Sequence, residues 1–160
     1  MAENSKNLLI KLIFLISIVA LASALFIEYK LGHQPCNLCV LERIPYLLAI
    51  ILILLNLKFN HLEKYFLILL IVVFFIATIL SLYHLGIEQG FIQESMVCDL
   101  KSGSNLLSKE DILKQLQEKS ISCKDVTFKI FGLSLTTYNI LISLLITIYT
   151  TKIYLDYDKN

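Results

Sequence analysis

Long apolar runs alternate along the chain with short polar breaks, and four of these runs are nearly free of charge. They cover residues 8–27, broken only by Lys11; 40–57, with Glu42 and Arg43 near the start; 65–87; and 130–151. Each is long enough to cross a hydrocarbon layer of ~30 Å, which takes roughly 20 helical residues. A backbone in lipid must satisfy its own hydrogen bonds, so each run is predicted to be a helix, and Lys11 can snorkel to the headgroups from an end turn. The pattern therefore predicts an all-α integral membrane protein, a four-transmembrane-helix bundle forming a single membrane domain over 1–160. The first run, with Lys6 and Lys11 ahead of it and Ala20, Ala22, Ser23 and Ala24 near its end, has the look of a signal peptide. It is long for one and three more spans follow, so it is expected to stay as a span.

Four spans put both termini on one side together with the short connection 58–64, and put the connections 28–39 and 88–129 on the other. Cys36 and Cys39 fall in the first of these, Cys98 and Cys123 in the second, so all four cysteines are expected to share one compartment. Within 88–129, Ser108, Lys109, Glu110 and Asp111 have the N-cap serine and N3 acid of a capping box, with Leu107 and Ile112 at the staple positions. Ile112, Leu113 and Leu116 share a face, which predicts a short amphipathic helix over 108–119, lying on the membrane surface or packed on its own loop. The glycine and serine between Lys101 and Asn105 put Cys98 on a mobile arm that a partner protein can reach.

Composition agrees with the pattern, since 57% of the residues are hydrophobic, more than one soluble core of this size needs. Fourteen basic side chains nearly balance thirteen acidic ones, and no long block of one sign occurs; nucleic acid is not an expected partner. Charge barely orients the chain. Lys6, Lys11, Lys58, Lys64 and Lys152 flank one face, but the 88–129 connection carries its own lysines, offset by acids. The cysteines orient it better: an even number confined to one face suits an oxidising compartment. The cysteine loops are thus expected in a bacterial periplasm and both termini in the cytoplasm, with the chain in the inner membrane.

The motif with the most chemistry is Pro35, Cys36, Asn37, Leu38, Cys39, followed at once by Val40, Leu41, Glu42 and Arg43. Two cysteines separated by two residues can close a small disulfide ring, and a helix starting there lowers thiolate pKa through its exposed amides. A low-pKa thiolate also leaves readily in exchange. Arg43, four residues after Cys39, is expected one turn below that sulfur, where a cation favours the thiolate and negative charge developing on an acceptor; as an alternative it is an interfacial anchor. Glu42 opposes that effect and is expected to pair with a basic group or face water. Pro45 suits a helix start or a mild kink. Four cysteines could instead form a tetrahedral zinc or iron–sulfur site, but Cys98 and Cys123 lie far apart and fit a loop disulfide at least as well, so no metal centre is expected.

Together these residues carry a resemblance. The Cys36 to Cys39 motif with Glu42 and Arg43 at the mouth of the second span, and a separated pair between spans three and four, resemble the disulfide bond formation protein B (DsbB) family. So do Tyr83, His84, Leu85, Gly86, Ile87 and Glu88 at the end of span three, and Gly132, Leu133, Ser134, Leu135, Tyr138 and Asn139 near the start of span four. The resemblance covers nearly the whole chain and implies a thiol oxidase that uses a quinone, ubiquinone or menaquinone. It implies a relay in which a thioredoxin-fold dithiol oxidase (DsbA-like) attacks the Cys98 to Cys123 disulfide, at Cys98. Cys123 then attacks Cys36, and Cys39, released beside Arg43, passes electrons to the quinone, whose quinol the respiratory chain reoxidises. His84 and Glu88 are implied at the quinone with Arg43; otherwise His84 caps the helix at the interface and Glu88 is solvated.

Location agrees with these roles. A pair at the bilayer surface is reached by a lipid-soluble acceptor, and a pair on a long loop by a soluble protein. Other classes remain open at this point: an inward-feeding thiol reductase, which would need a cytoplasmic electron path; a vitamin K epoxide reductase-like enzyme, whose Cys-x-x-Cys belongs late in the bundle; and a metal-binding membrane scaffold. Asn139 and Ser134 are expected to stitch helices together.

Overall fold

A computed structural model describes residues 2–58, 62–93, 98, 122–124 and 129–158, with side chains from Lys6 to Asp156. The helix expected over 108–119, the stretch 101–105 and the middle of the 58–64 connection lie outside the described residues. The elements are α1 (Ala2–Tyr29), α2 (Asn37–Leu41), α3 (Ile44–Lys58), α4 (Glu63–Glu88), β1 (Lys129–Ile130), β2 (Leu133–Ser134) and α5 (Leu135–Asp158). Among the described residues, four helical segments are long and apolar enough to cross a membrane: Lys6–Tyr29, Asn37–Lys58, Glu63–Glu88 and Leu135–Asp156.

Two boundaries differ from the sequence reading for local reasons. The second span begins at Asn37 and is broken at Glu42 and Arg43 between α2 and α3. Pro45 has no N–H to give the Leu41 carbonyl, so the α-ladder cannot run through. Arg43 N–H turns instead to the Val40 carbonyl at 3.1 Å, and the ladder resumes with Leu47 N–H on the Arg43 carbonyl at 3.2 Å. The fourth span starts at Leu135 rather than 130, because 129–134 fold into a two-residue hairpin pairing Lys129 with Ser134 and Ile130 with Leu133. Its central residues, Phe131 (φ 51°) and Gly132 (φ 82°), both have the left-handed backbone that such a tight turn requires. Tyr138, one turn into α5, donates its hydroxyl to the Ile130 carbonyl at 3.1 Å and ties the hairpin to the helix.

The helices close a ring, α1 on α3, α3 on α4, α4 on α5 and α5 back on α1, with α4 against α5 the most extensive contact. The centre is apolar: Ile13, Ala49, Ile53, Leu70, Phe74 and Ala77 are buried in one cluster with Tyr46 and Ile146. Small polar residues let α4 and α5 approach, as Thr78 donates to Ser143 at 3.0 Å, and Ser143 is itself fully buried. The outward faces carry exposed side chains such as Leu57, Phe75 and Leu145, a surface that suits lipid and would be costly in water. At the far end of α4, Gly90 (φ 78°) ends the helix and the chain doubles back, so that Ile92 N–H reaches the Gly86 carbonyl at 3.1 Å. A Cβ on Gly86 would sit 2.6 Å from the Ile92 side chain.

Candidate active site

All four cysteines lie at one end of the bundle. Cys36 caps α2: its backbone is extended (φ −71°, ψ 167°) and its sulfur accepts the Cys39 N–H at 3.3 Å, an amide the helix would otherwise leave unsatisfied. The Cys36 and Cys39 sulfurs are unbonded and 2.7 Å apart. Cys98 and Cys123, 25 residues apart in sequence, form a disulfide with their Cα atoms 6.0 Å apart. The two pairs belong to one buried cluster with Leu38 and Ile87. Asn37, between the cysteines of the first pair, donates its side-chain amide to the Cys98 carbonyl at 3.0 Å. The turn that holds one pair is thereby fixed to the loop that holds the other.

His84, near the end of α4, is almost wholly buried and faces Cys36, with Nε2 3.5 Å from that sulfur. Its Nδ1–H donates to Glu42 Oε1 at 2.9 Å. Glu42 in turn accepts the side-chain amide of Asn139 on Oε2 at 3.0 Å. The second amide hydrogen of Asn139 goes to Ser81 Oγ at 2.7 Å, and its carbonyl oxygen accepts the Tyr46 hydroxyl. Both hydrogens of that amide and its carbonyl oxygen are thus engaged, which fixes its orientation. Thr136, in the first turn of α5, donates to Glu88 Oε1 at 2.6 Å and stands 3.3 Å from His84 Nδ1. α2, α3, α4 and α5 each contribute to this line or stand beside it, and a buried carboxylate in it is held by donors rather than left bare.

The electrostatics single out Cys36. The Cys39 thiol, hydrogen-bonded to it, and then the His84 imidazole hold the Cys36 thiol at about 5, well below an ordinary thiol, against the opposing effect of burial. The partner the structure gives Arg43 is a carboxylate on another helix. The helix that the spacing from Cys39 assumed is broken after Leu41, and Arg43 Nη1 donates to Glu28 Oε2 at 2.6 Å, near the end of α1. Glu42 takes the first of its two expected courses, with His84 as its basic partner.

A cavity of about 580 Å³ opens between α1, the α2–α3 break, α4 and α5. Cys36, Cys39, Cys123, His84, Arg43 and Glu88 line its polar end, and Leu15, Val19, Ala24 and Ile27 of α1 form an apolar wall. Arg43, His84 and Glu88, the three residues expected at the acceptor, therefore share one cavity with Cys36, Cys39 and Cys123. Glu88 is not solvated: its side chain is 6% exposed, Oε1 is 3.8 Å from His84 Nε2, and Oε2 has no hydrogen-bond partner among the described residues. His33 also borders the cavity.

Sequence reasoning passed over Glu42, Asn139, Ser81, Thr136 and Tyr46 as parts of one line. The available signal was the cost of a carboxylate and an amide inside apolar spans, which such positions bear only when partnered or functional. What the sequence does not contain is the pairing, because 97 residues separate Asn139 from Glu42.

Comparison with known proteins bears on the whole chain. An uncharacterized protein of Rickettsia prowazekii (strain Madrid E) is 38% identical over 150 residues, covering 91% of this chain and 85% of that protein. No solved structure matches. The sequence model of the disulfide bond formation protein DsbB family matches residues 6–153, which take in three spans, most of the fourth and all four cysteines, and the chain belongs to that family.

Proposed function

We propose that this protein is a membrane thiol:quinone oxidoreductase that reoxidises a periplasmic thioredoxin-fold dithiol oxidase (DsbA-like) and passes the electrons to ubiquinone or menaquinone. In this reading the chain is one domain of the bacterial inner membrane, with both termini cytoplasmic, 28–39 and 88–129 periplasmic, and the respiratory chain downstream. Family membership supports the coarser part, an oxidoreductase in membrane disulfide-bond formation. The observation that carries the rest is the cavity, in which the Cys36 and Cys39 sulfurs meet an apolar wall of α1 at the edge of a span.

A quinone fits the residues present. Its ring needs donors at the carbonyls and its tail needs lipid-like surroundings; the polar end offers His84 and Arg43, and the α1 face offers Leu15, Val19 and Ile27. Glu88 Oε2, without a hydrogen-bond partner among the described residues, can accept a hydrogen bond from a hydroxyl of the quinol. When bound, a quinone supplies an acceptor for two electrons and two protons.

The protein's own residues do the rest. A partner thiolate attacks Cys98, its bond to Cys123 breaks, and Cys123 leaves as a thiolate beside Cys36, in the same buried cluster. The partner's second thiol resolves the mixed disulfide, so the partner leaves oxidised and Cys98 as a thiol. Cys123 attacks Cys36 and releases Cys39; Cys98 then displaces Cys36 from Cys123, restoring the loop disulfide and leaving Cys36 and Cys39 as a dithiol. His84 Nε2 receives the Cys36 proton while Glu42 holds Nδ1–H, the arrangement by which a carboxylate keeps an imidazole in a proton-accepting tautomer. Two electrons and two protons leave the dithiol as its disulfide reforms.

The test is to supply purified protein with a quinone and a reduced dithiol partner and to follow quinone absorbance. Quinol should form in step with partner disulfide. No quinol, or quinol formation that survives Cys36→Ser and Cys39→Ser, would sink the reading.

A further inference from the structure

The Cys36, Cys39 and His84 cluster has a property that electron transfer does not require. Its three donor atoms lie within 4.8 Å of one another, at the edge of a cavity large enough to admit an ion. We propose that, when its cysteines are reduced, this cluster binds a thiophilic divalent cation of the zinc class, which holds the pair as dithiolate and stops its reoxidation.

The donor set suits such an ion. Cysteines two residues apart are the spacing at which one turn of chain gives two sulfurs to one metal, and imidazole is a normal third ligand. Bonds of ~2.3 Å to sulfur and ~2.0 Å to nitrogen set a tetrahedral sulfur–nitrogen separation of about 3.5 Å. Cys36 Sγ and His84 Nε2 are 3.5 Å apart already. The two sulfurs, 2.7 Å apart, would have to open to about 3.8 Å, a side-chain rotation for the half-buried Cys39.

The surroundings of His84 are those of a metal-bound histidine. Its Nδ1–H is held by Glu42 at 2.9 Å, so Nε2 is the free nitrogen and is aimed at the sulfurs; this carboxylate–histidine pairing orients ligands and raises their basicity in zinc sites. Glu88 Oε1 is 3.8 Å from Nε2 but falls outside the group whose donor atoms lie within 4.8 Å of one another, so the fourth position is left to a solvent molecule. Two thiols give up two protons to solvent as the ion binds, and no electrons move. Oxidation to the disulfide removes both thiolates, so the site exists in one redox state alone.

The inference rests on the pair's cycling through a dithiol, as the proposed reaction requires. Its test uses the full chain in detergent with Cys98→Ser and Cys123→Ser, leaving Cys36 and Cys39 as the reporting thiols, and a thiol-free phosphine as reductant. Co2+ is the probe. The reduced protein should take up one equivalent with the visible bands of a tetrahedral ion and thiolate-to-cobalt charge transfer, and Zn2+ should bleach them. The diamide-oxidised protein should show neither. Glu42→Gln, which keeps the shape of the side chain, should weaken binding about 10- to 100-fold, and His84→Asn at least as much. Absence of the bands in reduced protein, or binding unchanged by oxidation or by both substitutions, would overturn the site. Quinone reduction by the parent protein in chelator is measured alongside. Cobalt binding without quinone turnover would sink the electron-transfer reading and keep the site, and turnover without cobalt binding would do the reverse.

Discussion

The two ends of the bundle hold their helices together in different ways. Away from the cysteines, Ile13, Ile53, Leu70 and Phe74 interlock as an apolar core, and an ion pair of Lys6 with Glu63 at 2.7 Å joins α1 to α4. At the cysteine end, the same helices bury a histidine, a carboxylate, an amide and two hydroxyls in one hydrogen-bonded line from Cys36 to Ser81 and Tyr46. Apolar packing would have been the simpler way to join helices in lipid, because each buried polar group there must first lose its water. The costlier end is the one with the sulfurs and the cavity. That asymmetry separates stability from chemistry, and substitutions should separate them too.

The largest effects belong to the sulfurs. Cys36→Ser or Cys39→Ser should lower quinone reduction at least about 10³-fold, since a redox pair acts as a unit, while thermal stability in detergent changes little. His84→Phe should follow, lowering the rate by about 10²-fold by removing the proton acceptor beside Cys36; a turnover assay with saturating quinone measures it. Phe74→Ala reverses the pattern. It should cost about 3–5 kcal/mol of stability, read as an earlier unfolding midpoint, and leave the rate per folded molecule unchanged. If it lowered that rate as much as His84→Phe does, the division between the ends would fail.

A subtler contrast lies in pH. The reduced pair should react with iodoacetamide at Cys36 through its thiolate, with a half-maximal rate near pH 5 and a loss of reactivity below it. His84→Phe should move that midpoint upward, because a favourable hydrogen bond and a charge are both removed. Mass spectrometry of the alkylated peptides over a pH series reads both. Smallest of all is Lys6→Ala at the opposite end, where a partly exposed ion pair contributes about 0–1 kcal/mol and quinone reduction should not change.

The helices were legible in the sequence because lipid leaves a backbone few options, and charge-free runs of spanning length admit one of them. Boundaries were less so. Gly132 marked a turn, but Phe131 is not a residue that advertises a positive φ, so the hairpin before α5 was read as the start of a span. The partner of Arg43 was out of reach for a related reason: its spacing from Cys39 was counted along an unbroken helix, Pro45 interrupts that helix, and the carboxylate it meets, Glu28, lies on α1. The Cys-x-x-Cys motif carries chemistry in its residue types alone, whereas His84 and Glu88 were singled out through the family resemblance. Glu42 and Asn139 acquire theirs only through each other, and contact between side chains on different helices is not written in either one's neighbourhood.

The central claim is that electrons enter at Cys98 and Cys123 and leave through Cys36 and Cys39. Stopped-flow mixing of the oxidised protein and quinone with a reduced dithiol partner tests it most directly, comparing the parent protein with Cys36→Ser. The account predicts that the parent turns over, giving one quinol per partner disulfide, and that Cys36→Ser still accepts the partner's electrons into the Cys98 to Cys123 pair but forms no quinol. Quinol formation by Cys36→Ser at the parent rate would contradict it.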